Sequence, residues 1–341
     1  MGVVVVSVQA DRAEGSGEVT VAQHYWGGFR CESRFVRGRS ACVAPLVLVG
    51  GAFQTKESWG RLERGALEFA DVLTVDLPGW GASPVLPEHY GTDFLADALG
   101  RILDDLGLAS VNLLGGSYGS AVAYRLTQKR PALATRMVLV GTMMCIPDQA
   151  QAPLRRSVEL LQAGRVEEFA DVTLGMLMNL DRVDSVVAAT RVRRFLVRRM
   201  LNLTSHDKEQ FIANTRRLLR HERLDEERPP AMPVLVAVGE HDSFTTPDRS
   251  RALAVSCADS RLAVVSDADH MLPVERPAEL VALARRFLIG EPLDDLGFLC
   301  SVEQISPPGG GVTPSGSVPV HRRSAGGGCL THVASAQVTE R

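Results

Sequence analysis

The sequence predicts an α/β fold: a mostly parallel central sheet flanked by helices, with a helical segment inserted in the middle of the chain. Three observations carry this. Short continuous apolar runs recur at 45–49, 72–75, 111–114, 137–140, 234–238 and 262–265, and each suits a strand buried on both faces. Amphipathic segments separate several of these runs, the alternation that builds a parallel sheet with helices on both sides. Gly50, Asp76, Ser117, Asp242 and His270 all fall in the loops that follow such runs. In open α/β sheets those carboxyl-end loops gather on one rim.

Taken in order, residues 1–15 are expected to be a poorly ordered leader. Its apolar start is too short for a signal peptide and lacks a basic segment before it. Gly2 and Ser7 do not fit the myristoylation spacing. No run of about 18 apolar residues is present, so no membrane span is expected. Period-two alternation over 18–25 and 30–36, broken at Gly27-Gly28, reads as a β-hairpin. The 45–49 strand ends in Gly50-Gly51-Ala52-Phe53-Gln54, with a helix over 58–68. The 72–75 strand runs into Asp76-Leu77-Pro78-Gly79-Trp80-Gly81-Ala82-Ser83, dense in turn residues. Thr92 is placed to cap a helix whose apolar face includes Phe94, Leu95, Ala98, Ile102, Leu103 and Leu106. A further helix follows Ser117 over 120–129.

Between 142 and 228 the strand rhythm stops, and helical spacing with many arginines takes over until Pro229-Pro230. The final amphipathic helix covers 277–288. The sheet core is thus assigned to 16–141 and 229–290, and the insertion to 142–228. Residues 291–341, with glycine- and proline-rich stretches, are expected to be a disordered low-complexity tail.

The net charge of −3 argues against general affinity for nucleic acid or anionic membranes. The six cysteines are scattered and form no Cys-x-x-Cys pair, so neither a zinc site nor a disulfide framework is indicated. Reduced thiols in a cytoplasmic protein are the simplest expectation.

The chemistry concentrates at Gly115-Gly116-Ser117-Tyr118-Gly119, a Gly-x-Ser-x-Gly pattern between a strand and a helix. That setting strains the serine and lifts its hydroxyl above the sheet. A hydroxyl becomes a useful nucleophile when an imidazole takes its proton and a carboxylate orients the imidazole. The chain order Ser117, Asp242, His270 fits such an elbow. Asp269 and Glu240 are rival carboxylates, the first too close in sequence to His270 and the second expected to face solvent. Backbone N–H groups of Tyr118 and Ala52, with Phe53 as the alternative to Ala52, are expected to stabilise an oxyanion.

Together these motifs resemble the α/β-hydrolase fold superfamily of the Ser-His-Asp type with a helical cap. The carriers are Gly50-Gly51-Ala52-Phe53, the Asp76–Ser83 loop, the Ser117 elbow, Gly239-Glu240-His241-Asp242 and Asp269-His270. One departure is that Gly50-Gly51 stands where many relatives have His-Gly. The elbow is also similar to that of proline iminopeptidase-like enzymes, whose His-Gly-Gly-Pro-Gly loop is missing here. Serine rather than aspartate at the elbow argues against epoxide hydrolases and haloalkane dehalogenases.

The resemblance implies a serine hydrolase acting on a small ester, lactone or thioester through an acyl-enzyme, with no metal or organic cofactor. Acyl transfer or cyclisation, a peptidase on the same residues, and a non-catalytic small-molecule-binding protein are the alternatives. The insertion corresponds to the family's cap. Its Arg191–Arg199 stretch reads as a solvated face or, more sharply, as a contact for an acidic substrate or acyl carrier. Met143, Met144, Met176 and Met178 are candidates to line an adaptable pocket.

Overall fold

The computed structural model of the chain describes residues 4–9, 18–220 and 223–305. Its centre is a ten-stranded sheet in the order β1-β2-β3-β5-β4-β6-β7-β8-β9-β10. The strands are β1 (Val4–Gln9), β2 (Val19–Trp26), β3 (Phe29–Val36), β4 (Leu46–Val49), β5 (Val72–Asp76), β6 (Val111–Gly116), β7 (Ala134–Val140), β8 (Val234–Gly239), β9 (Ser260–Val265) and β10 (Leu299–Ile305). From β5 across β4, β6, β7 and β8 to β9 every neighbouring pair is parallel. Every residue of β4, β5, β6 and β8 is buried. That is why these strands read as unbroken apolar runs.

Two expectations fail at the sheet edges. Val4–Gln9 lies in the supposed leader yet forms β1, antiparallel to β2. Its run of valines has strong strand preference, and the open edge of β2 supplies a partner. Leu299–Ile305 lies in the supposed tail yet forms β10, antiparallel to β9. A double ion pair of Arg251 with Glu303, 2.9 and 2.7 Å, fastens this edge to a helix. Residues 291–298 of the supposed tail are likewise placed, with Leu293 and Leu296 buried in the core beneath the sheet; the other leader and tail residues, including both polyglycine runs, lie outside the described residues.

Helices cover both faces. α1 (Gly60–Ala66) packs on one face, α2 (Thr92–Asp105) and α3 (Tyr118–Lys129) on the other. Alternate residues of β4 divide accordingly: Val47 and Val49 join the α2/α3 core, Leu46 and Leu48 the opposite one. Gly91 rather than Thr92 is the N-cap of α2; Thr92 is its first, buried residue.

Between β7 and β8 come α4 (Asp148–Gln162), α5 (Val166–Leu177), a 3-10 turn (Leu180–Ser185), α6 (Ala189–Leu201) and α7 (Ser205–Leu219). They share their own core, including Phe169, Leu174, Val192, Leu196 and Phe211, against which Phe53, Met271 and Val274 of the sheet's rim pack. One face of α7 also grips the loop after β5. His206 and Gln210 hydrogen-bond the Ser83 carbonyl, Asn214 that of Gly79, and Arg217 those of Leu86 and Tyr90.

Two further helices, α8 (Pro247–Val255) and α9 (Leu272–Glu275), precede α10 (Pro277–Ile289). α8 was signalled by Thr246-Pro247: the threonine side chain accepts the Arg249 N–H and proline occupies the first turn. Among the described residues no cysteine forms a disulfide, and no helix is long and apolar enough to cross a membrane.

Backbone approaches backbone closely where α3 crosses β4. A Cβ at Gly119 would stand 2.1 Å from the Val49 carbonyl oxygen and 2.8 Å from that of Gly50. Gly119→Ala is therefore expected to lower stability by about 3 kcal/mol, read from urea unfolding, because backbone cannot yield as a side chain can.

Candidate active site

Ser117 occupies the single residue between β6 and α3. Its backbone sits at φ 50°, ψ −116°, a conformation that costs a non-glycine residue about 1–3 kcal/mol. The turn is held by the Ser117 N–H to the Val140 carbonyl (2.8 Å) and the Ser120 hydroxyl to the Gly115 carbonyl (2.8 Å). A Cβ at Gly115 would meet Ser120 Cα at 2.6 Å, which accounts for the first glycine of the motif.

The structure brings Ser117, His270 and Asp242 together. His270 Nε2 lies 3.2 Å from Ser117 Oγ, and Nδ1 lies 2.9 Å from Asp242 Oδ2. An ionised carboxylate only accepts, so Nδ1 carries the proton and the Nε2 lone pair faces the hydroxyl. Burial opposes charge on His270, but the acidic groups around it, Asp242 foremost and then Asp269 and Glu275, together outweigh it, and the net displacement is upward from 6.5. Burial likewise opposes the Asp242 anion, yet the imidazole and hydrogen bonds hold its carboxyl below the ordinary range.

Thr245, absent from the sequence expectations, completes this arrangement. Its hydroxyl donates to Asp242 Oδ2 at 2.5 Å and lies 3.0 Å from His270 Nδ1. The N–H groups of Thr245 and Phe244 donate to Asp242 Oδ1 at 2.7 and 2.9 Å. The Asp-x-x-Thr spacing, a common side-chain-to-backbone turn, was the available signal. Gly141, at φ 57°, makes room for the imidazole: a Cβ there would lie 3.2 Å from Nδ1.

The loop after β4 passes directly beside the elbow. A Cβ on Gly51 would be 2.9 Å from the Gly116 oxygen and 3.0 Å from Ser117 Cβ. Gln54 Oε1 accepts the Gly51 N–H at 2.7 Å, and Trp80 Nε1 donates to the Gly51 carbonyl at 3.0 Å. Neither Gln54 nor Trp80 was singled out from sequence. Ala52 and Tyr118 line one cleft with Ser117. As first residue of α3, Tyr118 has an N–H with no intrahelical acceptor.

Other rim residues do different work. Asp76 does not face Ser117; it is buried against Lys56, whose Nζ lies 3.0 Å from Oδ2 and whose N–H donates to Oδ1 at 2.8 Å. Glu240 accepts the Asp267 N–H, and Asp269 accepts the N–H rather than the ring of His270. Glu240, His241 and Asp267 are the one group among the described residues close enough to share a metal ion. Asp267 also has the Arg276 guanidinium at 3.8 Å, so the protein already balances part of that charge.

Three lobes open on Ser117. One of about 860 Å³ runs between Phe53, Leu154, Met176 and Phe211. A second, about 750 Å³, is bordered by Phe195, His270, Met271 and Val274. A third, about 390 Å³, reaches Met143, Cys145 and Ile146. Met144 and Met178 are instead buried in the cores. Of the α6 arginines, Arg191, Arg193, Arg194 and Arg198 are exposed, whereas Arg199 borders two lobes and pairs with Asp207 at 3.0 Å.

The fold and this rim define the class. The chain belongs to the α/β-hydrolase fold family, whose model matches residues 44–277. Among its relatives is a 2-hydroxy-6-oxononadienedioate/2-hydroxy-6-oxononatrienedioate hydrolase of Burkholderia vietnamiensis, 28% identical over 71% of this chain and 86% of that one. The mouse sn-1-specific diacylglycerol lipase ABHD11 is 21% identical over 73% of this chain and 82% of its own. Among solved structures, the enol-lactonase of Burkholderia xenovorans LB400 superposes with a TM-score of 0.67 at 21% identity, covering 78% of this chain and 99% of the other.

Beneath His270 lies a buried acid, Glu275, whose Oε2 accepts the Asp269 N–H at 2.7 Å. Burial, then the neighbouring Asp269 charge, pushes its carboxyl up to about 8. Over the window from 4.5 to about 8 the folded state holds a proton that the unfolded state has released, so stability falls as pH rises through it. Glu275→Gln, which mimics the neutral acid, is expected to flatten that part of the pH–stability curve, with its advantage over wild type largest above pH 8 in urea melts.

Proposed function

We propose that the protein is a serine hydrolase that cleaves small, predominantly apolar carboxylic esters, lactones or thioesters. The observation that carries this reading is the unbroken hydrogen-bonded series Asp242–His270–Ser117 at the foot of an apolar cleft. Ser117 Oγ attacks the acyl carbon while His270 Nε2 takes its proton. Asp242 stabilises the imidazolium and holds the tautomer. The N–H groups of Ala52 and Tyr118 meet the developing oxyanion. His270 returns the proton to the departing alcohol or thiol, and water then releases the acid by the same steps in reverse order.

The apolar lobes support an uncharged acyl chain flanked by Phe53, Leu154, Met176 and Phe211. A 2-hydroxy-6-oxononadienedioate/2-hydroxy-6-oxononatrienedioate hydrolase and a diacylglycerol lipase among the relatives support a hydrolytic reaction. Arg199 enters this reading as a neutralised wall of the cleft, since Asp207 already holds it.

The test is a panel of p-nitrophenyl esters of rising acyl length, together with a fluorophosphonate probe. Wild type should turn over short to medium esters and be labelled. Ser117→Ala should lose labelling and at least about a thousand-fold in kcat/KM. Because neutral His270 is the base and the Asp242 charge favours its protonated form, the acid limb of kcat/KM should lie above pH 6.5, with activity lost as pH falls through it. Thr245→Val, lacking a donor to Asp242, should lower kcat by about ten-fold with little change in KM.

A further inference from the structure

We propose that Asp269 is a positioning residue that ties the helical insertion to His270, so that the base is aligned when the insertion is seated. The inference rests on the reading of His270 as the base. Asp269 is 1% exposed, and its carboxylate joins two separate elements. Oδ1 accepts the backbone N–H of His270 at 2.8 Å. Oδ2 accepts the backbone N–H of Asn179, the residue just before the 3-10 turn between α5 and α6. The Asn179 side chain reaches the other rim loop as well: its Nδ2 donates to the carbonyl of His241, the residue before Asp242, at 2.9 Å. Farther along, the Val187 N–H donates to the Asp267 carbonyl at 2.8 Å.

One short stretch of the insertion therefore holds both loops that carry the partners of Ser117. The carboxylate is the critical joint. A buried carboxylate needs donors, and removing one leaves an under-solvated charge next to the His270 peptide. If the stretch lifts, Asp269 loses a donor and the peptide bearing His270 loses half of its clamp. The same stretch follows directly on Leu177, which borders two of the lobes at Ser117. Substrate packed under the insertion thus favours the arrangement in which the imidazole is correctly aimed. Asp242, Asp269 and Glu275 are the charged or titratable groups facing His270, so Asp269 also favours its protonated form.

The test uses the full chain and a proline. Asn179 has φ −77° and Met178 is extended at φ −141°, ψ 134°, so Asn179→Pro removes the N–H without forcing the backbone. Asn179→Ala removes only the side-chain bond to His241 and is the control. Relative to that control, Asn179→Pro is expected to lose about ten-fold in kcat on p-nitrophenyl butyrate and in the rate of fluorophosphonate labelling, with KM changed less than about two-fold. Asp269→Asn is expected to move the acid limb of kcat/KM to lower pH, a change that a purely structural role would not produce. It also serves if the proline variant does not fold. Equal labelling and turnover in the Pro and Ala variants, or an unmoved acid limb in Asp269→Asn, would overturn the proposal while labelled wild type left the hydrolase reading standing. Wild type that resists labelling would overturn both.

Discussion

The site depends on a serine backbone held where serine does not rest. At φ 50° Ser117 has no local reason to stay, and the strain is sustained only because its surroundings leave no alternative. β4 and α3 press so closely that the Val49 carbonyl fills the space a side chain at 119 would need. The Gly51 peptide closes on the elbow from the other side. The hydroxyl is presented by crowding of backbone against backbone, and the energy for it comes from the fully buried parallel strands on either side.

Around that fixed point the polar groups satisfy one another in a dry setting. Asp242 is 3% exposed, yet its two oxygens receive two backbone N–H groups, the Thr245 hydroxyl and the imidazole. This is what allows an anion to remain charged away from water. Glu275, in the same neighbourhood, has only the Asp269 N–H on one oxygen and no partner on the other. The contrast explains how two buried acids so near each other can be held in opposite protonation states.

Much of this was legible in the sequence because the informative signals were local. Ser117, Asp242 and His270 each stand just past an apolar run, and a parallel sheet brings such positions to one rim whatever lies between them. The misses have a different character. β1 and β10 are edge strands defined by a single partner, and beside glycine-rich stretches their short patterns carried little weight. Thr245, Gln54, Trp80 and Asn179 act through contacts with residues distant in the chain or through one specific rotamer, and no periodicity announces either. Asp76 shows the converse: its position after β5 matched the others, but Lys56 captured its side chain.

The grip of α7 on the loop after β5 makes the insertion lopsided. Arg217 is 2% exposed, and the hydrogen bonds it donates end on carbonyl oxygens and the Asn214 amide. Peeling that flank away would expose a row of orphaned carbonyls and a guanidinium that must be rehydrated. The opposite flank, α6, presents Phe195 at 53% exposure and has lighter attachments to the rim. The covering is therefore anchored to the sheet's rim most heavily along α7, and any rearrangement of that flank has to rehydrate a buried cation and several carbonyls at once.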